Sequence, residues 1–80
     1  MTLEILTPEK SVYKGEASLV QLPGVDGLFE ILDGHAPLIA ALSKGTIKYK
    51  TASETFTLNI SGGFAECRDN TVSVLAEALL

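Results

Sequence analysis

Apolar and polar residues alternate with a period of two through most of this 80-residue chain, and turn residues interrupt the alternation every few positions. This pattern is typical of short antiparallel β-strands with one face on a core. The clearest alternation places Ile47 and Tyr49 inward and Lys48 and Lys50 in water. We predict strands at 2–5, Val12–Lys14, Glu16–Leu22, Leu28–Leu32, Leu38–Leu42, Thr46–Lys50, Thr55–Ile60, Phe64–Arg68 and Thr71–Leu75.

Nine or ten short strands in so short a chain predict an all-β domain, built as a two-sheet β-sandwich or flattened barrel. No segment of helical length has a 3.6-residue period, and no linker or repeat divides the chain. We therefore expect one domain over residues 1–80. The alternation also puts Phe56, Leu58 and Ile60 on one face of their strand, so we expect Phe56 to lie in the core.

Turn residues are densest between Leu22 and Leu42. The pairs Pro23-Gly24 and Asp26-Gly27 predict turns, because Pro presets φ and Gly accepts positive φ. The residues around the only histidine, from Gly34 to Leu38, predict a rigid corner. Loops on a rigid scaffold often carry binding residues, so we expect an apolar contact surface here. The alternative is that its apolar side chains fold back and close the sandwich; they are Val25, Leu28, Leu38 and Leu42.

Composition favours a partner that is a protein. The chain is 46% hydrophobic with a mean hydropathy of +0.30, which is high for a domain with so much surface. The net charge is −4 and no basic cluster occurs, which argues against binding to nucleic acid or to anionic lipid. The single cysteine, Cys67, allows no internal disulfide and predicts an intracellular protein with this thiol in the core. We identify no secretory signal and no membrane-spanning run.

The sequence shows no catalytic, metal-binding or cofactor-binding constellation. Glu30, Asp33 and His35 are close together, but no nucleophile or set of three converging ligands accompanies them. We expect the His35 ring to hydrogen-bond backbone carbonyls instead. A lipoyl or biotinyl carrier domain is the alternative from another class, with Lys14 or Lys44 as the modified residue. Neither lysine has the neighbours that such carriers use.

The segment between Leu22 and Leu38 contains the motif Leu22-Pro23-Gly24, Gly27, Phe29, Ile31 and Gly34-His35-Ala36-Pro37-Leu38. This motif resembles the amino-terminal β-domain of the epsilon subunit of F-type ATP synthase. Further matches cover essentially the whole chain: Thr7-Pro8-Glu9, Tyr13, Lys14-Gly15, Gly45-Thr46-Ile47, Ser61–Glu66 and Asn70–Glu77. The chain departs from the family pattern at Glu30, where Gly is frequent, and at Asp33, where Pro is frequent.

The resemblance implies a noncatalytic subunit of the rotor stalk, which docks on the gamma subunit and on the ring of c subunits and couples proton flow to ATP synthesis. It implies no cofactor and a peripheral position on the cytoplasmic face of the plasma membrane. Family members usually continue into an inhibitory two-helix domain, and this chain ends at Leu80, where that domain would begin. The implied c-ring side is Val25, Asp26, Gly27 and Leu28, and the implied gamma side is Thr7, His35 and Leu42.

Overall fold

The computed structural model describes all 80 residues and consists of nine β-strands and their connections. It contains no helix that could span a membrane. The alternation of apolar and polar side chains produces these strands, and the prediction of an all-β fold is confirmed. The structure extends β2 through Gly15, where the sequence predicted an end, because this glycine pairs with Leu3 of β1. The strands are β1 Thr2–Leu6, β2 Ser11–Glu16, β3 Leu19–Gly24, β4 Gly27–Leu32, β5 Leu38–Leu42, β6 Gly45–Lys50, β7 Thr55–Ile60, β8 Gly63–Arg68 and β9 Thr71–Ala76.

The strands form one curled sheet that folds over on itself. Its first half, here called the first sheet, has the order β2-β1-β9-β8-β5, with β1 and β9 parallel and the other pairs antiparallel. Its second half, the second sheet, has the antiparallel order β4-β3-β6-β7. The halves join where Gly24 of β3 pairs with Leu42 of β5. The predicted sandwich or flattened barrel is therefore confirmed.

A single apolar core fills the space between the two sheets. No polar or charged residue is buried, and Cys67 lies in the core as expected. The alternation sets which residues enter it, as Val72, Val74 and Ala76 of β9 show. The sixteen core residues are Met1, Leu3, Ile5, Ala17, Val20, Leu22, Ile31, Leu42, Ile47, Tyr49, Ile60, Ala65, Cys67, Val72, Val74 and Ala76.

Phe56 does not belong to this core, and the prediction that it does is wrong. Its side chain is 37% exposed, because β7 is the last strand of its sheet and has no neighbour beyond it. The ring stacks on Tyr49 with 5.3 Å between centroids, and Tyr49 lies 4.7 Å from the ring of Tyr13 on β2. The three rings close the open side of the sandwich between the edge strands. Burial, and secondarily the nearby Tyr13, raises the pKa of the Tyr49 phenol.

The turns differ from prediction at one place. Pro23-Gly24 lies within β3, and the connection to β4 is the two-residue turn Val25-Asp26 between Gly24 and Gly27. Proline has no N–H to donate, but the strand pairing here uses only the carbonyl oxygen of Pro23. This oxygen accepts a hydrogen bond from the Ser43 amide at 2.8 Å.

Candidate protein-contact surfaces

The tip of the β3–β4 hairpin presents apolar side chains to solvent. We call the four residues Val25–Leu28 the hairpin tip. Val25 is exposed and Leu28 is 65% exposed, so both have the predicted exposure. Asp26 is exposed as well. Gly27 has a φ of +129° with open space around it, and this left-handed backbone allows the chain to reverse in so few residues.

An open groove of about 500 Å³ lies between the hairpin tip and β5. We call it the tip groove; residues 24–29 and 38–41 line it. Leu28 and Phe29 form part of one wall and Leu38 part of the other. Leu38 is half-buried, which is less exposure than the sequence predicted. Asp26 is the only charged residue in the lining.

Leu42 is buried, and its predicted exposure is wrong. Its side chain is 5% exposed and belongs to the core. Leu42 ends β5, where β3 pairs with it on one edge and β8 on the other, so its side chain lies between the two sheets. The run Leu38–Leu42 is apolar at every position, so the sequence could not show which positions face inward.

A second apolar surface covers the outer face of the first sheet. We call Ile39, Phe64 and Leu75 the outer patch; all three are exposed, and Ile39 is 76% exposed. Phe64 of β8 lies directly opposite Leu75 of β9, and Leu75 lies opposite Leu6 of β1. Ile39 of β5 lies opposite Glu66 and is therefore diagonal to Phe64 on the same face. Directly opposite and diagonal neighbours are within reach of each other, so the three residues form one surface.

The outer patch is not among the contact residues predicted above, although the sequence carries a signal for it. Leu75 lies between two core residues in Val74-Leu75-Ala76, Phe64 precedes the core residue Ala65, and Ile39 lies in the apolar run Leu38–Leu42. Successive side chains of a strand point to opposite faces, so an apolar run places apolar side chains on the outer face as well as in the core. Such side chains on the outer face indicate a contact surface.

Thr7 and His35 lie at opposite ends of the first sheet. Thr7 follows β1 and its amide donates to the Lys10 carbonyl at 2.9 Å. His35 precedes β5, and the amide of its neighbour Gly34 donates to the Asn70 side chain at 2.8 Å. The Asn70 carbonyl accepts from the amide of Thr2, at the other end of β1. The five-residue strand between these ends is about 17 Å long. The outer face of the first sheet, with the outer patch, extends between these two ends.

The polar residues near the corner act as structural groups. The His35 Nδ1 atom lies 2.7 Å from the carbonyl oxygen of Ala36, as predicted from its position. The Asp33 carboxylate accepts bonds from the N-terminal ammonium of Met1 and from the Asn70 amide. The ammonium holds the pKa of the Asp33 carboxyl below its usual value, first by hydrogen bonding and then by its charge.

The acid–base candidates do not converge in space. The Glu30 carboxylate accepts a bond of 3.2 Å from the Gln21 amide, while Asp33 pairs with the chain terminus. No group of three His, Cys, Asp or Glu side chains is placed to hold a metal ion.

The fold is a small β-sandwich that carries two exposed apolar surfaces, the hairpin tip and the outer patch. Comparison with known families gives a specific assignment, since the β-sandwich domain of ATP synthase delta and epsilon chains matches residues 1–80. The chain belongs to this family.

Bacterial ATP synthase epsilon chains are among its relatives. That of Leptospira borgpetersenii is 39% identical over 77 residues, which are 96% of this chain and 61% of the relative. That of Nitratidesulfovibrio vulgaris strain DP4 is 45% identical over 76 residues, which are 95% of this chain and 57% of the relative. The chain thus spans about three-fifths of the length of these relatives.

Two solved structures share the fold at low sequence identity. A chain of the Euglena gracilis mitochondrial ATP synthase, solved with its c-ring, has a TM-score of 0.90 at 21% identity; the match covers 98% of this chain and 51% of that one. A chain of the Tetrahymena thermophila central stalk and c-ring has a TM-score of 0.85 at 16% identity, covering 99% and 64%.

Proposed function

We propose that this domain is a noncatalytic part of the rotor stalk of an F-type ATP synthase. In this role it docks on the gamma subunit and on the c-ring and couples proton flow to ATP synthesis. Family membership over the whole chain carries the proposal. The relatives are named epsilon chains of ATP synthase, and the similar structures are described with a central stalk or a c-ring. The exposed apolar surfaces are what such docking requires.

The proposed gamma contact extends over the outer face of the first sheet. Thr7 and His35 mark its two ends, and the outer patch supplies its apolar centre. Buried apolar side chains at the centre and polar groups at the rim are the usual arrangement of a protein interface. Leu42 has no exposed side chain to offer, so it can take part only through backbone atoms.

The proposed c-ring contact is the hairpin tip, Val25, Asp26, Gly27 and Leu28. The tip projects two apolar side chains on a short turn, so little conformational freedom is lost when they become buried. The position of the domain follows from this contact, since docking on a membrane ring places it peripherally. We assign it to the cytoplasmic face of the plasma membrane.

Two charge substitutions test the two contacts separately. Leu28→Asp should leave the thermal midpoint almost unchanged, because an exposed turn residue contributes little to the core. It should weaken binding to the c-ring and lower proton-coupled ATP synthesis, because burying an unpaired carboxylate costs several kcal/mol. Binding to gamma should persist. Phe64→Asp is the matched control. It should lose binding to gamma and keep its fold, because Phe64 is exposed.

The measurements are thermal unfolding, pull-down with gamma, and ATP synthesis in a reconstituted complex, each on both variants. Unchanged synthesis with Leu28→Asp would remove the hairpin tip from the interface. Wild-type levels of gamma pull-down with Phe64→Asp would remove the outer patch from the gamma contact.

A further inference from the structure

Strand β5 has one unpaired edge. It pairs along its whole length with β8, but on the other side it meets β3 at a single residue pair, Gly24 and Leu42. Beyond that pair the Val25 amide donates to the Ala41 carbonyl at 3.0 Å, and then the hairpin turns away. Backbone groups of an antiparallel strand bond alternately to its two neighbours. The N–H and C=O of Ile39 therefore point away from β8, in the same direction as the Ala41 carbonyl.

No group of the protein bonds to this part of the edge. The backbone hydrogen bonds outside the strand ladders include none to the N–H or C=O of Ile39. The tip groove lies alongside, with Leu28 and Phe29 across from β5. A strand laid in this groove would continue the path that β3 leaves at Val25. Its backbone would pair with Ile39, and one side chain would enter the apolar groove.

The charges around the groove are acidic. Asp26 is its only charged lining residue, and Glu66 on β8 lies directly opposite Ile39 on the outer face. No lysine or arginine lines the groove. An incoming segment with basic side chains would be attracted, and an acidic segment would be repelled.

We propose that the tip groove binds an extended polypeptide segment that alternates apolar and basic residues and adds as a short strand to the free edge of β5. This inference deepens the proposed c-ring contact, because the hairpin tip forms one wall of the groove, and it rests on that proposal for the protein that supplies the segment. Backbone pairing supplies the affinity, and Asp26 and Glu66 select the charge.

The test uses the intact 80-residue chain, labelled with ¹⁵N, and a blocked six-residue peptide that alternates lysine and valine. At saturating peptide, exchange of the Ile39 amide with solvent should slow by about tenfold or more, because a strand hydrogen bond now protects it. A peptide that alternates glutamate and valine should bind more weakly. The free edge of β2, which carries Lys14 and has no apolar groove, serves as the internal reference and should stay unprotected.

Two kinds of variant separate backbone pairing from charge. Ile39→Pro removes the N–H at an edge position where proline is tolerated, and it should abolish peptide binding. Its control, Ile39→Ala, keeps the N–H and should retain most of the binding. Asp26→Lys and Glu66→Lys should each weaken binding of the lysine peptide at least about threefold and strengthen binding of the glutamate peptide. They keep the test decisive if Ile39→Pro fails to fold.

The proposal is refuted if millimolar lysine peptide leaves the Ile39 amide unprotected, or if both peptides bind alike. Dimerisation of the free chain through β5 would refute it too, since the occupant would then be a second copy. If the lysine peptide does not bind but Leu28→Asp still weakens binding to the c-ring, this inference is refuted and the proposed c-ring contact stands.

Discussion

Asp33 couples the corner before β5 to the start of the chain, although its side chain is largely exposed. Its carboxylate binds the ammonium of Met1, whose side chain is buried, and the amide of Asn70. These contacts lower the pKa of Asp33 in the folded protein from its ordinary value of 3.8. The stabilisation is therefore complete above about pH 3.8 and is lost as the pH falls through the folded pKa.

The substitution Asp33→Asn tests this linkage. At neutral pH it should lower the thermal midpoint, and the difference from the unsubstituted chain should shrink as the pH falls below 3.8. Thermal unfolding followed between pH 7 and pH 2 measures this difference. Asp26→Asn on the hairpin tip supplies the baseline for a carboxylate-to-amide change, because the Asp26 carboxylate has no ion-pair or hydrogen-bond partner in the fold. A pH-independent deficit in Asp33→Asn would show that the charge pair is not the cause.

The stability cost of Phe56→Ala should be modest because the ring is partly in solvent. We expect a loss of about 1–2 kcal/mol, including the stacking on Tyr49. Ile47→Ala, which truncates a fully buried side chain, should cost about 2–5 kcal/mol. Urea unfolding of both variants gives the comparison. An equal or larger loss for Phe56→Ala would mean that the aromatic row contributes more than its exposure indicates.

At the scale of elements, Gly63 determines how β8 begins. Its φ is +150°, and a Cβ atom at this position would overlap the carbonyl oxygen of Leu75 on β9. Gly63→Ala should therefore disrupt the β8–β9 pairing or prevent folding. Gly27→Ala is the matched control, since its φ is also positive but no atom lies within 4 Å of its Cβ position.

Gly27→Ala should lower the free energy of unfolding by about 1–3 kcal/mol, the cost of holding alanine at a positive φ. Circular dichroism and urea unfolding of the two variants measure the contrast. Equal losses would show that the close approach to Leu75 relaxes at no cost.

The edges of the strands could not be predicted from their own residues. β3, β6 and β8 have neighbours on both sides, whereas β2, β4 and β7 do not. Which strand becomes an edge depends on pairing between distant parts of the chain, as in the parallel pair of β1 and β9. This is why Phe56 was placed in the core by its alternation and is half-exposed in the fold.

For the whole molecule, we predict that MgATP does not bind. The tip groove is its largest concave site, and the only charged group there, Asp26, repels phosphate. Calorimetric titration should give no saturable heat at a dissociation constant of about 1 mM or tighter. Saturable binding in that range would reveal a nucleotide site that these surfaces do not explain.

The intact mass tests the carrier alternative, which requires a lipoyl or biotinyl group on Lys14 or Lys44.

The sequence alone determined the all-β class, most strand positions and the exposed hairpin tip, because alternation and turn residues act locally. It also carried enough of the family motifs to identify the family. The tertiary structure decided the burial of Leu42, the outer patch and the free edge of β5. In β8 and β9 alternation already places Phe64 and Leu75 on the outer face, but only the pairing of these two strands brings them together. In β5 every residue is apolar, so alternation does not indicate which side chains face the core. Only the packing of one sheet on the other selects the inner face of β5.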